Sequence, residues 1–320
     1  MRSLPRRAFL GGTLTAGAAV LESGGSTPAT GSASPRRKFT LDLNCGAIGV
    51  SANQGQAIRF AHALGFESVT PSAGELAKMS ETQLAALLAE LKEKRLAWGA
   101  AGLPVEFRKD DAAFRAGITA LPQLAEALQR AGVTRVSTWL RPAHESLTYL
   151  ANFRQHGRRL REVAKLLGDH GLRLGLEYVG PKTSWSASRY PFIHTMAEMK
   201  ELIAEIGCDN VGFLLDSWHW YTAHETKDDL LTLGNKDVVA CDLNDAPAGI
   251  PVDEQIDGRR ELPAATGVID LGTFLGALVQ IGYDGPVRAE PFNRALREMP
   301  PDAALAATAA AMKKAFALIE

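Results

Sequence analysis

The feature that most constrains the fold is a regular alternation of short apolar segments with longer amphipathic ones, which starts at residue 39. The short segments have the length of buried strands, and the longer ones repeat apolar residues three and four positions apart, as helices do. Strands that alternate with helices form parallel sheets whose two faces are covered. The eight short segments are Phe39–Asn44, Glu67–Thr70, Leu96–Ala100, Arg135–Leu140, Leu172–Val179, Val211–Leu215, Val238–Leu243 and Pro286–Glu290.

Helix signals separate these predicted strands. Ser80 and Thr195 each begin a capping box, and Asp270 precedes another apolar helical run. A helix is also predicted at Gln54–Leu64, and one at Asp111–Ala131 that we expect Pro122 to kink or restart. Eight strand–helix pairs within about 280 residues predict an α/β fold, a single (β/α)8 TIM barrel that spans residues 38–320. An open doubly wound sheet is less favoured, because no glycine-rich phosphate loop follows the first strand.

The first 37 residues differ in composition from the rest. Arg6 and Arg7 precede Phe9 and Leu10, and the apolar run Ala8–Leu21 is too short to span a bilayer. Residues 22–37 are rich in Ser, Gly, Pro, Ala and Arg, which cannot bury a core. This order predicts a twin-arginine signal peptide and a disordered linker in residues 1–37. The expected partner is the twin-arginine export machinery, and the expected location is periplasmic or secreted.

Bulk charge excludes some classes of partner. The formal net charge is −1 and charged residues make up 22% of the chain, so the basic footprint of a nucleic-acid-binding protein is missing. Beyond the N-terminal run, no segment is apolar enough to span a bilayer, and we expect no stable membrane association. A homo-oligomer is compatible with the sequence, which gives no further information on subunit contacts.

Four acidic residues stand at the ends of four consecutive predicted strands: Glu177, Asp216, Asp242 and Glu290. The carboxyl ends of barrel strands meet at one mouth, where neighbouring strands lie about 4.8 Å apart. Carboxylates brought together there repel one another unless protons or a cation neutralise them. A divalent ion with oxygen ligands meets that requirement, so the pattern predicts a metal site. For a single Asp, capping of the following helix would be the simpler explanation.

Four motifs carry a resemblance to a known superfamily. They are Leu-Glu-Tyr at Glu177, Leu-Leu-Asp-Ser-Trp-His at Asp216, Asp-Leu-Asn-Asp-Ala-Pro-Ala-Gly at Asp242, and Ala-Glu-Pro-Phe at Glu290. From about residue 39 to its end, the chain resembles the xylose-isomerase-like (β/α)8-barrel superfamily of sugar phosphate isomerases and epimerases. The resemblance implies that these four residues bind a divalent metal, which would be manganese, magnesium, cobalt or zinc. It leaves the substrate open.

Position 242 departs from the superfamily pattern, which has His there, and position 288 is usually small or apolar. Residues 288 and 290 share one face of the last strand, so Arg288 should point into the barrel below Glu290. We therefore expect Arg288 to pair with Asp242, which would leave Glu177, Asp216 and Glu290 for the metal. The alternative is that Asp242 replaces the His as a ligand, which gives an all-oxygen site.

The resemblance also implies a reaction and a substrate class. Glu177 and Glu290 would move a proton beside a carbonyl, which makes the chain an isomerase or epimerase of a small carbohydrate substrate. Export favours a free sugar, keto-sugar or polyol derivative, because phosphorylated sugars are mainly cytoplasmic. Loss of a leaving group after the same first step would make the chain a lyase or dehydratase of a keto-sugar or inosose. A third reading is a non-catalytic carbohydrate-binding barrel with an impaired metal site.

Further residues are candidates for substrate contact. His219 follows Asp216 by three positions, a spacing that the superfamily uses for a substrate-binding histidine. Two long loops, Gly180–His194 and Asp245–Ile269, leave the carboxyl ends of predicted strands, where barrel active sites lie. Trp139 ends the fourth predicted strand and is expected on the floor of the pocket. The other predicted substrate-binding residues are Lys182, Trp185, His194 and Arg288.

Overall fold

The computed structural model describes residues 36–320. The predicted twin-arginine signal and nearly all of the predicted linker therefore lie outside the described residues. Within 36–320, no helix has both the length and the apolar character that crossing a bilayer requires.

A parallel sheet closes on itself to form the predicted barrel. Within residues 36–320, its strands are β1 (Thr40–Leu43), β2 (Ser68–Val69), β3 (Ala97–Trp98), β4 (Ala101–Gly102), β5 (Arg135–Trp139), β7 (Arg173–Glu177), β9 (Val211–Asp216), β10 (Val238–Leu243) and β11 (Pro286–Ala289). Their order in the sheet is β3-β2-β1-β11-β10-β9-β7-β5-β4. The two end strands, β3 and β4, belong to one chain segment and are separated only by Gly99 and Ala100, so the ends of the order meet and β3 with β4 counts as one of eight barrel strands.

A glycine stands where the third barrel strand is interrupted. The buried carboxylate of Asp42 on β1 lies against Gly99, where any larger residue would clash with it. A residue without Cβ is therefore required at the point where β3 gives way to β4. The sequence predicts one uninterrupted strand here, because it does not show that Asp42 approaches Gly99 from β1, two strands away.

Helices cover the outside of the barrel, and local signals fix many of their ends. Capping boxes at Asn53, Ser80 and Thr195 begin three of them, and the first and third of these helices end at the left-handed residues Gly65 and Gly207. The helices are α1 (Gln54–Leu64), α2 (Ala73–Leu76), α3 (Glu81–Glu93), α4 (Asp111–Arg130), α5 (Tyr149–Gly168), α6 (Lys182–Trp185), α7 (Met196–Ile206), α8 (Ser217–Thr222), α9 (Lys227–Leu231), α10 (Leu271–Gln280), α11 (Arg294–Arg297) and α12 (Pro301–Phe316).

Two features differ from the sequence-based expectation. Helix α4 runs through Pro122 without a break, because its buried face on both sides of the proline, from Phe114 to Leu128, holds it against the barrel. In addition, β6 (Ala143–His144) and β8 (Tyr190–Pro191) form an antiparallel ribbon. This ribbon joins the loops that follow β5 and β7.

On the inner face of the barrel, charged side chains lie closer to the carboxyl ends of the strands than a layer of apolar side chains does. Leu214 and Ala240 pack together inside the barrel. Asp216 and Asp242 lie two residues further along the same strands and therefore share that inward face. These two aspartates are paired in the register of β9 and β10, which brings both carboxylates to the same height.

Candidate active site

The four predicted acidic residues meet at the carboxyl ends of four adjacent strands. Glu177 ends β7, Asp216 ends β9, Asp242 lies in β10 and Glu290 follows β11. Carboxylate oxygens of Glu177, Asp242 and Glu290 lie within 4.8 Å of one another. Donor atoms of Glu177, Asp216 and His219 form a second such group. The barrel topology thus concentrates acidic side chains in one place.

Arg288 pairs with Asp242, as the sequence leads us to expect. Its Nε lies 2.5 Å from Asp242 Oδ1 and its Nη2 lies 3.0 Å from Oδ2. Both side chains are buried. Burial lowers the pKa of the Arg288 guanidinium, but the negative charge and hydrogen bonds of Asp242 have the larger effect, so the pKa is raised overall. Both oxygens of Asp242 are therefore engaged by a neighbouring strand.

Arg260 reaches the same acidic cluster from the long loop after β10. Its Nη1 lies 2.7 Å from Asp216 Oδ2 and 3.4 Å from Glu290 Oε2. Its Nη2 lies 2.8 Å from Asp257 Oδ1. The guanidinium also stacks on the Phe292 ring at 4.5 Å. The sequence predicts that the loop Asp245–Ile269 is functional, but Arg260 is not among the site residues predicted from it.

His219 is buried beside the same carboxylates. Its Nε2 lies 3.8 Å from Glu177 Oε1 and 3.9 Å from Asp216 Oδ2. Its Nδ1 accepts a hydrogen bond from the backbone N–H of Gly180. Burial, helped by the charge of Arg260, lowers the pKa of His219 to about 3. The ring is therefore neutral, and the contact with Glu177 is not an ion pair.

Burial and mutual repulsion raise the pKa values of three carboxyl groups. Burial is the largest cause for each, and it raises the pKa of Asp216 to about 6 and that of Glu290 to about 8. The pKa of Glu177 lies well above its ordinary value because of burial and the charges of Glu290, Asp216 and Asp242. Glu177 Oε1 is buried and has no hydrogen-bond partner among the described residues. With all four carboxylates ionised the cluster would carry more negative charge than Arg260 and Arg288 offset, so protons or a cation must neutralise the remainder.

Two adjoining cavities give access to these groups. The inner cavity, of about 300 Å³, has a wall of Trp139, Val179, His219, Arg260, Glu290 and Phe292. The second cavity, of about 280 Å³, is more polar and includes Asn44, Arg108, Ser137, Thr138 and Arg288. Glu177, Glu290 and Trp139 line both cavities. A ligand in either cavity therefore meets the two glutamates.

Three predicted substrate-binding residues lie away from these walls. Lys182 is half exposed and forms an ion pair with Asp253 at 2.8 Å. Trp185 stacks on His194, with ring centroids 4.7 Å apart. Neither cavity includes Lys182, Trp185 or His194 in the wall, and their contact with substrate stays a prediction.

Trp139 lines both cavities, as the sequence predicts, but it does so from an exposed position rather than from a buried floor. Its side chain is 44% exposed and lies under the guanidinium of Arg108, at 4.6 Å. It is the last residue of β5, so its ring projects at the rim of the barrel.

The donor set fits a divalent cation. Glu177 offers a buried oxygen that has no hydrogen-bond partner within residues 36–320, and oxygens of Glu290 and Asp242 lie within 4.8 Å of its carboxylate. Oxygen donors with excess negative charge are what hard divalent ions require. Arg288 engages both oxygens of Asp242 and Arg260 engages Asp216 Oδ2, so a cation would be held mainly by Glu177 and Glu290, with Asp216 and Asp242 beside them.

Comparisons with known proteins agree with this architecture. The family model of the xylose isomerase-like TIM barrel matches residues 58–315, and the chain belongs to this family. A solved xylose isomerase domain protein from Alicyclobacillus acidocaldarius subsp. acidocaldarius is 31% identical. That likeness covers 88% of this chain and 99% of that protein, with a TM-score of 0.75.

Two curated relatives match part of the chain. Inosose isomerase of Bacillus subtilis (strain 168) is 29% identical over 138 residues, which are 42% of this chain and 45% of that protein. A 3-dehydroshikimate dehydratase of Pseudomonas aeruginosa is 28% identical over 142 residues, which are 44% of this chain and 21% of that protein. The matches thus span less than half the length of each relative.

Proposed function

We propose that the chain is an isomerase or epimerase that moves a proton beside a carbonyl of a free sugar, keto-sugar or polyol derivative. One observation carries the proposal: Glu177 and Glu290 come from different strands, line the same two cavities and both have raised pKa values. Carboxyl groups whose pKa values are raised above the ordinary range are suited to acid–base catalysis at neutral pH. Membership of the family and the partial match to an inosose isomerase support this class of reaction.

The residues of the acidic cluster and its neighbours have different roles in the proposed proton transfer. The raised pKa of Glu177 suits that carboxyl to hold a proton, and the pKa of about 8 lets Glu290 exchange one near neutrality. His219 is neutral and buried, with Nε2 directed at the carboxylates, so it can donate a hydrogen bond to a substrate hydroxyl. Arg260 lies beside Glu290 and Asp216, where its charge favours a negatively charged oxygen on the substrate.

Glu177 and Glu290 would hold a divalent cation, with Asp216 and Asp242 beside them, and the identity of the cation as manganese, magnesium, cobalt or zinc is open. When bound, such an ion polarises a carbonyl oxygen and stabilises negative charge that forms on it. The pair between Arg288 and Asp242 is retained in this proposal. Arg288 therefore holds Asp242 in position and also lines the polar cavity.

A lyase or dehydratase is the second candidate. The partial match to a 3-dehydroshikimate dehydratase favours it, because elimination begins with the same removal of a proton beside a carbonyl. The two candidates differ only in what happens after that step. An epimerase returns a proton to the carbon, whereas a lyase releases water or another leaving group.

Solvent isotope exchange tests the proposal. The full chain, loaded with Mn²⁺ or treated with a chelator, is incubated in D₂O with a panel of free aldoses, ketoses and inososes, and carbon-bound deuterium is measured by NMR. We expect deuterium in at least one sugar, with loss of that signal in Glu177→Gln and Glu290→Gln. An isomer of unchanged formula identifies an epimerase or isomerase, and a dehydrated product identifies a lyase. Binding of sugars without any exchange would support a non-catalytic carbohydrate-binding barrel instead.

Export through the twin-arginine machinery is part of the proposal. Arg6 and Arg7 followed by the apolar run support it. A fusion of the full chain to a reporter should reach the periplasm of a bacterium, and Arg6→Lys with Arg7→Lys should retain it in the cytoplasm. The periplasmic or secreted location would explain a substrate that carries no phosphate.

A further inference from the structure

A groove outside the active site shares two side chains with it. This outer groove has a volume of about 530 Å³ and is lined by Ile250, Ile256, Arg259, Phe292, Asn293 and Arg294, among others. Arg260 and Phe292 line both the outer groove and the inner cavity. Both cavities are open to solvent. The outer groove and the inner cavity therefore adjoin at Arg260 and Phe292.

The wall of the outer groove combines exposed apolar side chains with hydrogen-bond donors. Ile250 is 40% exposed and Ile256 is 44% exposed, although both lie at the mouth of a barrel. Arg259 makes no side-chain hydrogen bond to any of residues 36–320. Apolar surface beside a few polar groups is typical of ligand-binding clefts. A sugar ring has that same composition, with an apolar C–H face and hydroxyl groups at its edge.

The loop that carries the groove is held in place by its own hydrogen bonds. The buried carboxylate of Asp245 accepts hydrogen bonds from the backbone N–H groups of Thr266, Gly267 and Ile269. The side chain of Gln255 donates to the carbonyls of Pro247 and Ile250. A loop of this length that is internally bonded presents a preformed surface, which lowers the entropic cost of binding a ligand.

Phe292 stands between the two cavities in a strained backbone conformation. Its φ is +39°, a region that residues with a side chain rarely adopt. The guanidinium groups of Arg260 and Arg297 lie 4.5 Å and 5.8 Å from the centroid of its ring. Strain of this kind persists where surrounding contacts enforce it, and it clusters at ligand clamps. The ring is thereby fixed at the boundary between the inner cavity and the outer groove.

We infer that the substrate is a reducing disaccharide rather than a single sugar. Its reducing unit would reach Glu177 and Glu290, where ring opening exposes the carbonyl that proton transfer requires. Its second sugar would lie in the outer groove against Ile250, Ile256 and Arg259, and the glycosidic bond would stay intact. This inference rests on the proposed function for the reaction, while occupation of the groove can be measured independently of it.

Matched sugars test the inference. The Mn²⁺-loaded full chain is compared on D-glucose against cellobiose and on D-fructose against 4-O-α-D-glucopyranosyl-D-fructose, by deuterium exchange and by calorimetric binding. We expect at least one disaccharide to exceed its monosaccharide in kcat/KM by about tenfold or more, chiefly through KM, the order that apolar contacts contribute to discrimination. The double variant Ile250→Ser, Ile256→Ser should bring that ratio close to one. Leu231→Ser, at an exposed position in α9, serves as the control and should leave it unchanged.

The outcomes separate failure of the inference from failure of the proposed function. If no sugar exchanges deuterium, the reaction is wrong, and the calorimetric ratio still reports on the groove. The inference would be overturned if each monosaccharide and its disaccharide bound equally well. It would also be overturned if the disaccharide-to-monosaccharide ratio were the same in the double variant as in the unmodified chain. The inference would also be overturned if the double variant changed the oligomeric state in sedimentation but left the disaccharide-to-monosaccharide ratio unchanged. The groove would then be a contact between copies of the chain.

Discussion

Arg288 and Asp242 form a two-pronged ion pair inside the barrel, with Nε 2.5 Å from Oδ1 and Nη2 3.0 Å from Oδ2. The register places Arg288 level with Asp242 on one neighbouring strand and with Asp42 on the other. The guanidinium therefore offsets acidic charge on both sides. Such a pair removes Asp242 from the groups available to a cation and makes the barrel interior depend on Arg288.

Replacing Arg288 by Met should destabilise the fold. The change leaves Asp242 buried without its partner, and breaking a buried pair from one side costs about 3–5 kcal/mol. The free energy of unfolding, measured by urea titration in chelator, should fall by that amount. Adding Asp242→Asn to Arg288→Met should restore most of the loss, because the buried negative charge is then gone. A loss below about 1 kcal/mol in the single variant would show that the pair is not maintained in solution.

A divalent cation should stabilise the chain through Glu177. A ligand that binds only the folded state adds about 2.7 kcal/mol to the free energy of unfolding at a concentration of 100 Kd. For a domain of this size that is a rise in Tm of about 5 °C or more. In a thermal melt we expect Mn²⁺ to raise the Tm and a chelator to reverse this rise. The Tm of Glu177→Gln should not rise with Mn²⁺. Glu93→Gln, at an exposed position in α3, is the control and should keep the full rise. Elemental analysis of the same samples should show the metal only where the rise occurs.

Glu225 should make stability depend on pH. Its carboxylate accepts hydrogen bonds from the Tyr178 hydroxyl and the backbone N–H of Met196, and burial raises its pKa from 4.5 to about 7. The folded state therefore holds the proton more tightly than the unfolded state does. The resulting stability is complete below pH 4.5 and is lost as the pH rises through 7.

The comparison with Glu225→Gln isolates this effect, since the amide does not titrate. The free energy of unfolding of the unmodified chain, minus that of the variant, should decrease between pH 4.5 and 7. The slope should be at most about 1.4 kcal/mol per pH unit. A difference that stays constant across this range, measured by urea titration in chelator, would mean that Glu225 titrates at its ordinary pKa.

Local patterns predict most of the fold. The strand Val238–Leu243 and the helix Gln54–Leu64 have the bounds that the sequence indicates, because apolar periodicity and caps act over a few residues. The four carboxylates could be foreseen for the same reason, since each ends an apolar strand. Arg288 could be paired with Asp242 because positions on adjacent strands follow from the barrel topology.

What the sequence does not reveal depends on contacts between distant residues. Arg260 lies 44 residues after Asp216 and reaches it only through the path of a long loop. The ribbon of β6 and β8 likewise joins two loops that have no common sequence signal. The exposed position of Trp139 follows from where β5 ends relative to its neighbours, which periodicity alone does not fix.

Arg260 should be sensitive even to the conservative change to Lys. Its guanidinium contacts Asp216 with one nitrogen and Asp257 with another, and a single ammonium group cannot reproduce this fork. Loss of one charged hydrogen bond in a buried site should lower the free energy of unfolding by about 1.5–3 kcal/mol. Arg259, the adjacent residue, is exposed, so Arg259→Lys is a matched control that should change stability by less than about 0.5 kcal/mol. Equal unfolding midpoints for the two variants in urea would show that Arg260 does not make both contacts in solution.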